Sequence, residues 1–359
     1  MGTNIFSRLL GRYKNSMNSH NISSPQSQNS PQSSNKSDSK TKYQDWHEFN
    51  PSTQKWSSVD TTSSSRSPTT SHTTSNDTNL VLATWNIDAF EALPQPRISA
   101  ILSHLTNLTP SPDIIFLQEV SRPSLEFLLG DERIRDAWIS SEIDSQNWGA
   151  YNFATMTLLS KARFSGRARL GPVWRVKLQT KFGRDALCCD VFLPSPNTES
   201  ASGEEGEKCV RLVNVHLDSL AIIPSYRPSQ LAAVASILRD AERGIVAGDF
   251  NPVLPEDKTL VEENGLVDAW QELRKGEDGF TWGIDGKQAY PPIRMDKIAL
   301  LGLVVWDIEV MDPGTVVEPH GRGDLRGTGE GLSQDAEQGG DRLLPWSDHS
   351  GLKCTFGLD

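Results

Sequence analysis

Residues 244–251 read GIVAGDFN, a short apolar run that ends on a carboxylate, Asp249, and a carboxamide, Asn251. Side chains of an extended strand alternate faces, so residues two apart leave it in the same direction. Such a pair forms a fork of polar oxygens and an amide at the strand's end. Asp and Asn followed by Pro252 are also ordinary turn chemistry, and the pair alone does not choose between the two. Five other places repeat the pattern. Asn86 and Asp88 follow ATW, Glu119 follows IIFLQ, and His216 closes RLVNV. Asp296 sits in RMDKI, and Asp348 with His349 sits in WSDHSG. Any one of these is a satisfactory cap, turn residue or core histidine. Together they describe apolar strands that each deliver an acid, an amide or a histidine to one rim, which is how a site is built.

The residue types define the chemistry. Glu119, with Asp88 or Asp348, offers hard oxygen ligands suited to Mg2+, an ion that keeps several waters and binds substrate phosphate. No His/Cys cluster of zinc type is present. Asp249 is placed to orient or deprotonate a water, and Asn251 to hold that water or a phosphate oxygen. Asp296 is suited to fix the tautomer of His349 and favour its protonated form, which stabilises charge building on phosphorus. Metal, acids and imidazole together are an inventory for phosphoryl transfer, a reaction catalysed mainly by position and charge.

The elements that must carry these residues begin at Asn79. LVLATWNI, DIIFLQEV, DALCCDVFL, CVRLVNVHL, GIVAG, RMDKIALLG and GLKCTFGLD read as strands, and QPRISAILSHLTNL and PSQLAAVASILRDAE as amphipathic helices. Strands outnumber helices and several look buried on both faces, which suits two packed sheets with helices outside. Residues 1–78 are dominated by Ser, Thr, Asn, Gln and Pro and read as a disordered tail. Within it, YQDWHEFNPSTQKW, with Trp46 and Trp56, has two readings open: docking on the body or on a partner. Segments 195–208 and 312–341 are Gly-rich and charged; the second is too long for a plain connector and reads as a flap or flexible insertion.

Charge is uneven. The first 78 residues carry eight basic and five acidic side chains, leaving 27 and 41 for the body, a net −14 within the chain's −11. An acidic body argues against loose nucleic-acid binding through a broad basic face and fits a metal site with a few local arginines. The four cysteines, Cys188, Cys189, Cys209 and Cys354, form no CxxC pair and read as reduced thiols of a nuclear or cytosolic protein. No apolar stretch reaches the length of a membrane span. The basic, Ser-rich, acid-poor start resembles a transit peptide in composition, although a plain basic tail explains it as well.

The ordered set TWNID, LQEV, HLDS, GDFN, RMDKI and SDH resembles the endonuclease/exonuclease/phosphatase superfamily over about residues 80–357. The resemblance implies an α/β fold: a four-layer α/β sandwich of two packed mixed sheets flanked by helices. It also implies a phosphodiesterase site dependent on Mg2+, with Mn2+ as a substitute. HLDS followed by Arg227 and Gln230, GRDAL with Arg184, and FTW with Trp282 are most similar to the tyrosyl-DNA phosphodiesterase branch. That branch implies Glu119 as metal ligand, with Asp88 and Asp348 beside it. Asp249 and His349 become the principal catalytic pair, supported by Asn86, Asn251, His216 and Asp296. Arg184, Arg227 and Trp282 become substrate contacts, with core packing the other reading of Trp282. The implied partner is a DNA 5′ end carrying a protein or peptide adduct, single-stranded at the end, met by a monomer away from membranes. Departures exist: Ala89 stands where the branch usually has Gly, and GDFN is shared across the superfamily. The alternatives are an abasic endonuclease, a deadenylase, an inositol-phosphate or sphingomyelin phosphodiesterase, and an inactive binding module. MDK in place of the phosphatases' CDR, and a site filled at every expected position, weigh against the last two.

Overall fold

Strand β4 (Asn79–Asn86) shows how the molecule is organised. Leu80 and Leu82 face an apolar core shared between two sheets, whereas Ala83 and Trp85 face a second core beneath a helix, Pro94–Thr106. β5 (Ile114–Ser121) repeats the division, with Ile114 and Phe116 inward and Ile115 and Leu117 outward. On the opposing sheet, Val210 and Leu212 of β10 (Glu205–His216) face inward while Val213 and Val215 pack under the helix Arg227–Asp240. Two apolar faces per strand explain the near-continuous hydrophobic runs of the sequence. Helix, sheet, sheet and helix make the four layers.

The computed structural model describes residues 40–61, 79–165, 168–199, 205–288, 290–318 and 342–358. One sheet of eight strands runs β14 (Val304–Met311), β17 (Gly351–Gly357), β4, β5, β7 (Phe153–Ser160), β6 (Trp138–Ser140), β2 (His47–Asn50), β3 (Lys55–Ser58). The other, of seven, runs β1 (Thr41–Gln44), β8 (Arg169–Lys177), β9 (Asp185–Glu199), β10, β11 (Gly244–Asp249), β13 (Asp296–Leu301), β12 (Val267–Asp268). Each sheet is centred on one parallel pair, β4 with β5 and β10 with β11, flanked by antiparallel neighbours. The four C-terminal ends of those pairs meet at one rim, since Asn86 of β4 donates to Asp249 of β11 across the sheets.

Three expectations change. Residues 41–58 are not part of a tail: β1 pairs with β8 on one sheet and β2 with β6 on the other, and Trp46 between them is buried. Its indole donates to the Gly171 carbonyl at 3.0 Å, which settles docking on the body. Polar composition hid the segment because a sheet edge needs main-chain hydrogen bonds and one anchor rather than an apolar run. The rest of the expected tail, 1–39 and 62–78, lies outside the described residues. Segment 195–208 is largely the continuation of β9 and β10. In the expected insertion, Thr315–Glu318 pairs with Arg342–Pro345 as a two-stranded ribbon, and 319–341 lies outside the described residues. Among the described residues no helix is long and apolar enough to cross a membrane.

Truncating a fully buried tryptophan costs about 3–5 kcal/mol. Trp46→Ala is therefore expected to lower the urea unfolding free energy by that amount. A change below about 0.5 kcal/mol, the level of an ordinary surface substitution, would mean that residues 41–58 do not brace the two sheets.

Candidate active site

The inner face that is apolar along most of each central strand turns polar at the rim. On β4 the inward series Leu80, Leu82 continues as Thr84 and Asn86; on β10, Val210 and Leu212 continue as Asn214 and His216. Gln118 continues β5 and links both sheets, donating to Thr84 Oγ1 at 3.0 Å and to Asn214 Oδ1 at 2.8 Å. Asn214 in turn donates to the carbonyls of Leu117 and Met156. This satisfied layer closes the floor of the site.

Asp249 ends β11 on the inner face, after Gly248. Gly248 has φ +135°, and a Cβ there would lie 2.0 Å from the Val215 carbonyl, so glycine is required where the strand turns into the site. Asp249 Oδ2 accepts from Asn86 Nδ2 at 3.1 Å and stands 3.4 Å from His216 Nε2 and 4.0 Å from His349 Nε2. Burial raises its pKa to about 7, the nearby Asp296 and Glu119 charges adding to the effect and His349 opposing it. A buried carboxyl poised near neutrality suits a general base.

The expected fork has a different origin. β11 stops at Asp249, and Asn251 adopts φ +48°, so strand alternation does not place it. Its N–H donates to Asp249 Oδ1 at 2.9 Å and its side chain to the Leu217 carbonyl at 3.3 Å. Turn and site coexist, because the turn fixes the carboxylate. Asp88 also has positive φ; its N–H donates to Asn86 Oδ1 at 3.1 Å and its carboxylate accepts from Phe90 and Glu91 N–H. Glu119 would face outward by alternation from Gln118. A register shift between Leu117 and Val120, with φ +56° at Glu119, re-aims it inward, as bulges do. There it meets Asn86 Nδ2 at 3.4 Å and the Ala89 N–H at 3.0 Å. Only the amide of residue 89 is used, so alanine serves in place of glycine.

Two histidines carry opposite charge states. His349 Nδ1 donates to Asp296 Oδ2 at 2.8 Å. Burial works against its protonation, but Asp296, Asp348 and Asp249 outweigh burial and hold its pKa well above the usual value. His216 is neutral, its pKa pushed well down by burial, then by Arg184 and His349. Arg184 donates to His216 Nε2 at 2.9 Å and to Ser219 Oγ at 2.9 Å. A guanidinium only donates, so His216 carries its proton on Nδ1. Phe153 stacks on the His216 ring at 6.0 Å.

The loop 347–349 is stitched to the end of β4. Ser347 Oγ donates to the Asn86 carbonyl at 2.6 Å and accepts from the His349 N–H at 3.1 Å, while Trp85 Nε1 donates to the His349 carbonyl at 2.9 Å. Trp282 is half-buried at the rim rather than in the core, bridged to His349 through its backbone, with Nε1 donating to Asp348 Oδ2 at 3.2 Å. Arg227 is a correction: it is buried, pairs with Asp257 at 2.8 Å and donates to the carbonyls of Asp218 and Leu220, so it holds a loop and reaches no substrate. Arg97 escaped the sequence reading. It is wholly buried and donates to the carbonyls of Ile87 and Asp88, fixing the turn that carries Asp88. The signal was present, since Arg97 precedes Ile101 and Leu105 at intervals of four on the buried helix face.

Glu119, Asp88 and Asp348 do not form a ready-made cage: among the described residues no three His, Cys, Asp or Glu side chains converge as metal ligands. They do fit a hydrated divalent cation. Burial, then Asp348 and Glu119, raises the Asp88 pKa to about 7, and burial, then Asp348, raises that of Glu119. Arg97, Arg184 and His349 offset this only in part, and Mg2+ needs only one or two such carboxyls beside waters and phosphate.

Known proteins share this sequence pattern and this fold. The Endonuclease/Exonuclease/phosphatase family profile matches residues 83–349. Tyrosyl-DNA phosphodiesterase 2 of Homo sapiens is 27% identical over 254 residues, which span 67% of this chain and 62% of that protein. The crystal structure of D. rerio TDP2 complexed with single strand DNA product superposes with a TM-score of 0.55 at 22% identity, covering 78% of this chain and 100% of the other. TDP2 from C. elegans gives 0.53 at 20% identity, covering 78% and 75%. At these identities the structural likeness speaks for the fold.

If the carboxyl cluster takes a divalent cation, millimolar Mg2+ raises the melting temperature of the wild-type chain, by roughly 2 °C per kcal/mol of linkage for a domain of this size. Glu119→Gln is expected to melt higher than wild type without metal, because one buried charge is gone, and to lose the Mg2+ shift. An equal shift in both proteins would place the cation elsewhere.

Proposed function

The chain belongs to the Endonuclease/Exonuclease/phosphatase family, a family of phosphoester hydrolases, and on that footing we propose that it is an Mg2+-dependent phosphodiesterase that frees tyrosyl or peptide adducts from DNA 5′ ends. The observation that carries the chemistry is the facing pair: an Asp296-held, protonated His349 with Nε2 4.0 Å from Asp249, whose own pKa is about 7. The substrate class rests on the human relative's printed activity, on the single strand DNA product in the D. rerio structure, and on Arg184 and Trp282 at the rim.

In this reading Asp249 orients a water and accepts its proton as the water oxygen bonds to phosphorus and the phosphorus–oxygen bond to tyrosine breaks, the phenolic oxygen leaving. Asn86 holds the reacting Asp249 oxygen through its 3.1 Å bond. Protonated His349 neutralises charge that grows on the phosphoryl oxygens, with Asp296 keeping its tautomer. Neutral His216 accepts from Arg184 at Nε2 and so holds that guanidinium, the donor, toward the phosphate. Glu119, with Asp88 and Asp348, would hold the divalent ion, which when bound supplies charge neutralisation at the phosphate. Trp282 gives a flat surface on which an end base stacks without regard to sequence.

Hydrolysis of a 5′-phosphotyrosyl oligonucleotide is the deciding assay, run beside an abasic-site duplex and a phosphoinositide. Tyrosine release should require Mg2+, vanish with EDTA and vanish in Glu119→Ala while that variant stays folded. His349→Ala should lower kcat by on the order of 10²–10⁴-fold and leave KM nearly unchanged, because its contact matures in the transition state. Preferred cleavage of either other substrate would overturn the substrate class. Inactivity on all three would sink the enzymatic reading.

The two shifted groups also set a pH profile. Asp249 works ionised, so kcat/KM rises with pH through about 7. His349 works protonated, so activity falls again at a pH well above 6.5. Asp296→Asn removes the largest favourable charge on His349 and should move the alkaline limb to lower pH. An unmoved limb would assign it to another group.

A further inference from the structure

The connection Leu178–Arg184 between β8 and β9 delivers Arg184 to His216, and its shape depends on one hydroxyl. Thr180 Oγ1 accepts from the Phe182 N–H at 2.9 Å and the Arg184 N–H at 3.2 Å, and it donates its proton to Asp218 Oδ1. A hydroxyl has one hydrogen and two lone pairs, so all of its bonding capacity is used. Asp218 Oδ2 accepts from the Lys181 N–H at 3.0 Å, a second hold on the same loop. At Gly183, φ is +72° and a Cβ would fall 1.8 Å from the Tyr151 ring, so the loop runs directly beneath that aromatic wall.

Asp218 is itself fixed from behind. It is 4% exposed. Gln230 Nε2 donates to Asp218 Oδ1 and to the Gln179 carbonyl, both at 2.9 Å, while Gln230 Oε1 accepts from the Asp218 N–H at 3.0 Å. Arg227 donates to the Asp218 carbonyl at 2.7 Å and is anchored on Asp257. The start of the helix Arg227–Asp240 therefore grips Asp218, and Asp218 grips the loop that ends on Arg184. Each bond of the carboxylate goes to this scaffold and none to a catalytic group.

We propose that Asp218 is a positioning residue for phosphoester cleavage: clasped to Thr180 and the Lys181 amide, it holds the loop Leu178–Arg184 so that Arg184 stays aimed at His216. The inference rests on the functional reading above, in which Arg184 and His216 serve the phosphate. Replacing Asp218 leaves the Thr180 hydroxyl and the Lys181 amide without acceptors, and replacing Thr180 by valine leaves two loop amides without one. Serine keeps every bond.

The test uses the full chain with Mg2+ and the 5′-phosphotyrosyl oligonucleotide, melting temperatures being recorded alongside. A displacement of about 1 Å costs on the order of a hundredfold. Asp218→Ala and Thr180→Val should each lower kcat/KM between about tenfold and that limit, and Thr180→Ser should return to within about twofold of wild type. Asp218→Ala should add less than about twofold to the loss in Arg184→Ala, because a side chain already removed cannot be misaimed. The ring ¹⁵N shifts of His216 report its bond to Arg184 whatever the substrate. They should move in Asp218→Ala and Thr180→Val and stay in Thr180→Ser, even if the chain proves inactive on tyrosyl DNA and the functional reading fails. Unmoved shifts, or fully additive losses from Asp218→Ala and Arg184→Ala, overturn the proposal. Should Asp218→Ala fail to fold, the valine and serine variants of Thr180 decide alone.

Discussion

Everything at the rim depends on the alternation of side chains along strands whose inner faces are pressed together. The face that buries Leu80 and Leu82 is the one that carries Thr84 and Asn86, and the same holds for Val210 and Leu212 with Asn214 and His216. Burying the apolar half of each strand in the shared core thus fixes which way the polar half points. The register of that core and the geometry of the site are one constraint. Half of the site comes from each sheet: Asn86, Glu119 and His349 from one, His216, Asp249 and Asp296 from the other. Sliding one sheet over the other would disturb packing and chemistry together.

Such an arrangement concentrates charge where water is scarce. Asp249, Glu119 and Asp88 all have raised pKa values with burial as the first cause, which is the opposite of a set of satisfied ion pairs. The protein holds this unfavourable cluster in place because the surroundings are saturated. The floor of Gln118 and Asn214, the Ser347 link between Asn86 and His349, and the buried Arg97 leave the polar groups little freedom. Against this excess of acids, the two imidazoles divide. The one beside Asp296 is charged, and the one beside Arg184 is neutral, so neighbouring rings offer different protonation states for one reaction.

Support reaches the site from well outside it. Arg227 and Gln230, on the first turn of a helix, act on Arg184 through Asp218, Thr180 and the Gln179 carbonyl. Residues 41–58 lie before the family-matched region 83–349, yet they add one strand to one sheet and two to the other, with Trp46 between. From there Gln44 donates to Glu142, which pairs with Arg175, whose guanidinium holds Thr155 and Asp185. The two systems end on the consecutive residues Arg184 and Asp185, beside one cavity that Thr155 and His216 also line.

Residue order and period determined a good deal without any coordinates. The strands around TWNID, LQEV, HLDS, GDFN and RMDKI, both long helices, and the gathering of Asp249, His349, Asp296 and Glu119 at one rim were legible, because burial on two faces writes long apolar runs and their polar ends stand out. Tertiary structure alone decided three matters. It placed Glu119 through a bulge and Asn251 through a left-handed turn, where strand alternation would have aimed them differently. It moved Arg227 from substrate to scaffold, since an arginine's pattern in sequence is the same whether it meets a phosphate or a buried carboxylate. And it drew residues 41–58 into the fold, because edge strands are held by main-chain hydrogen bonds, which leave no mark on side-chain composition.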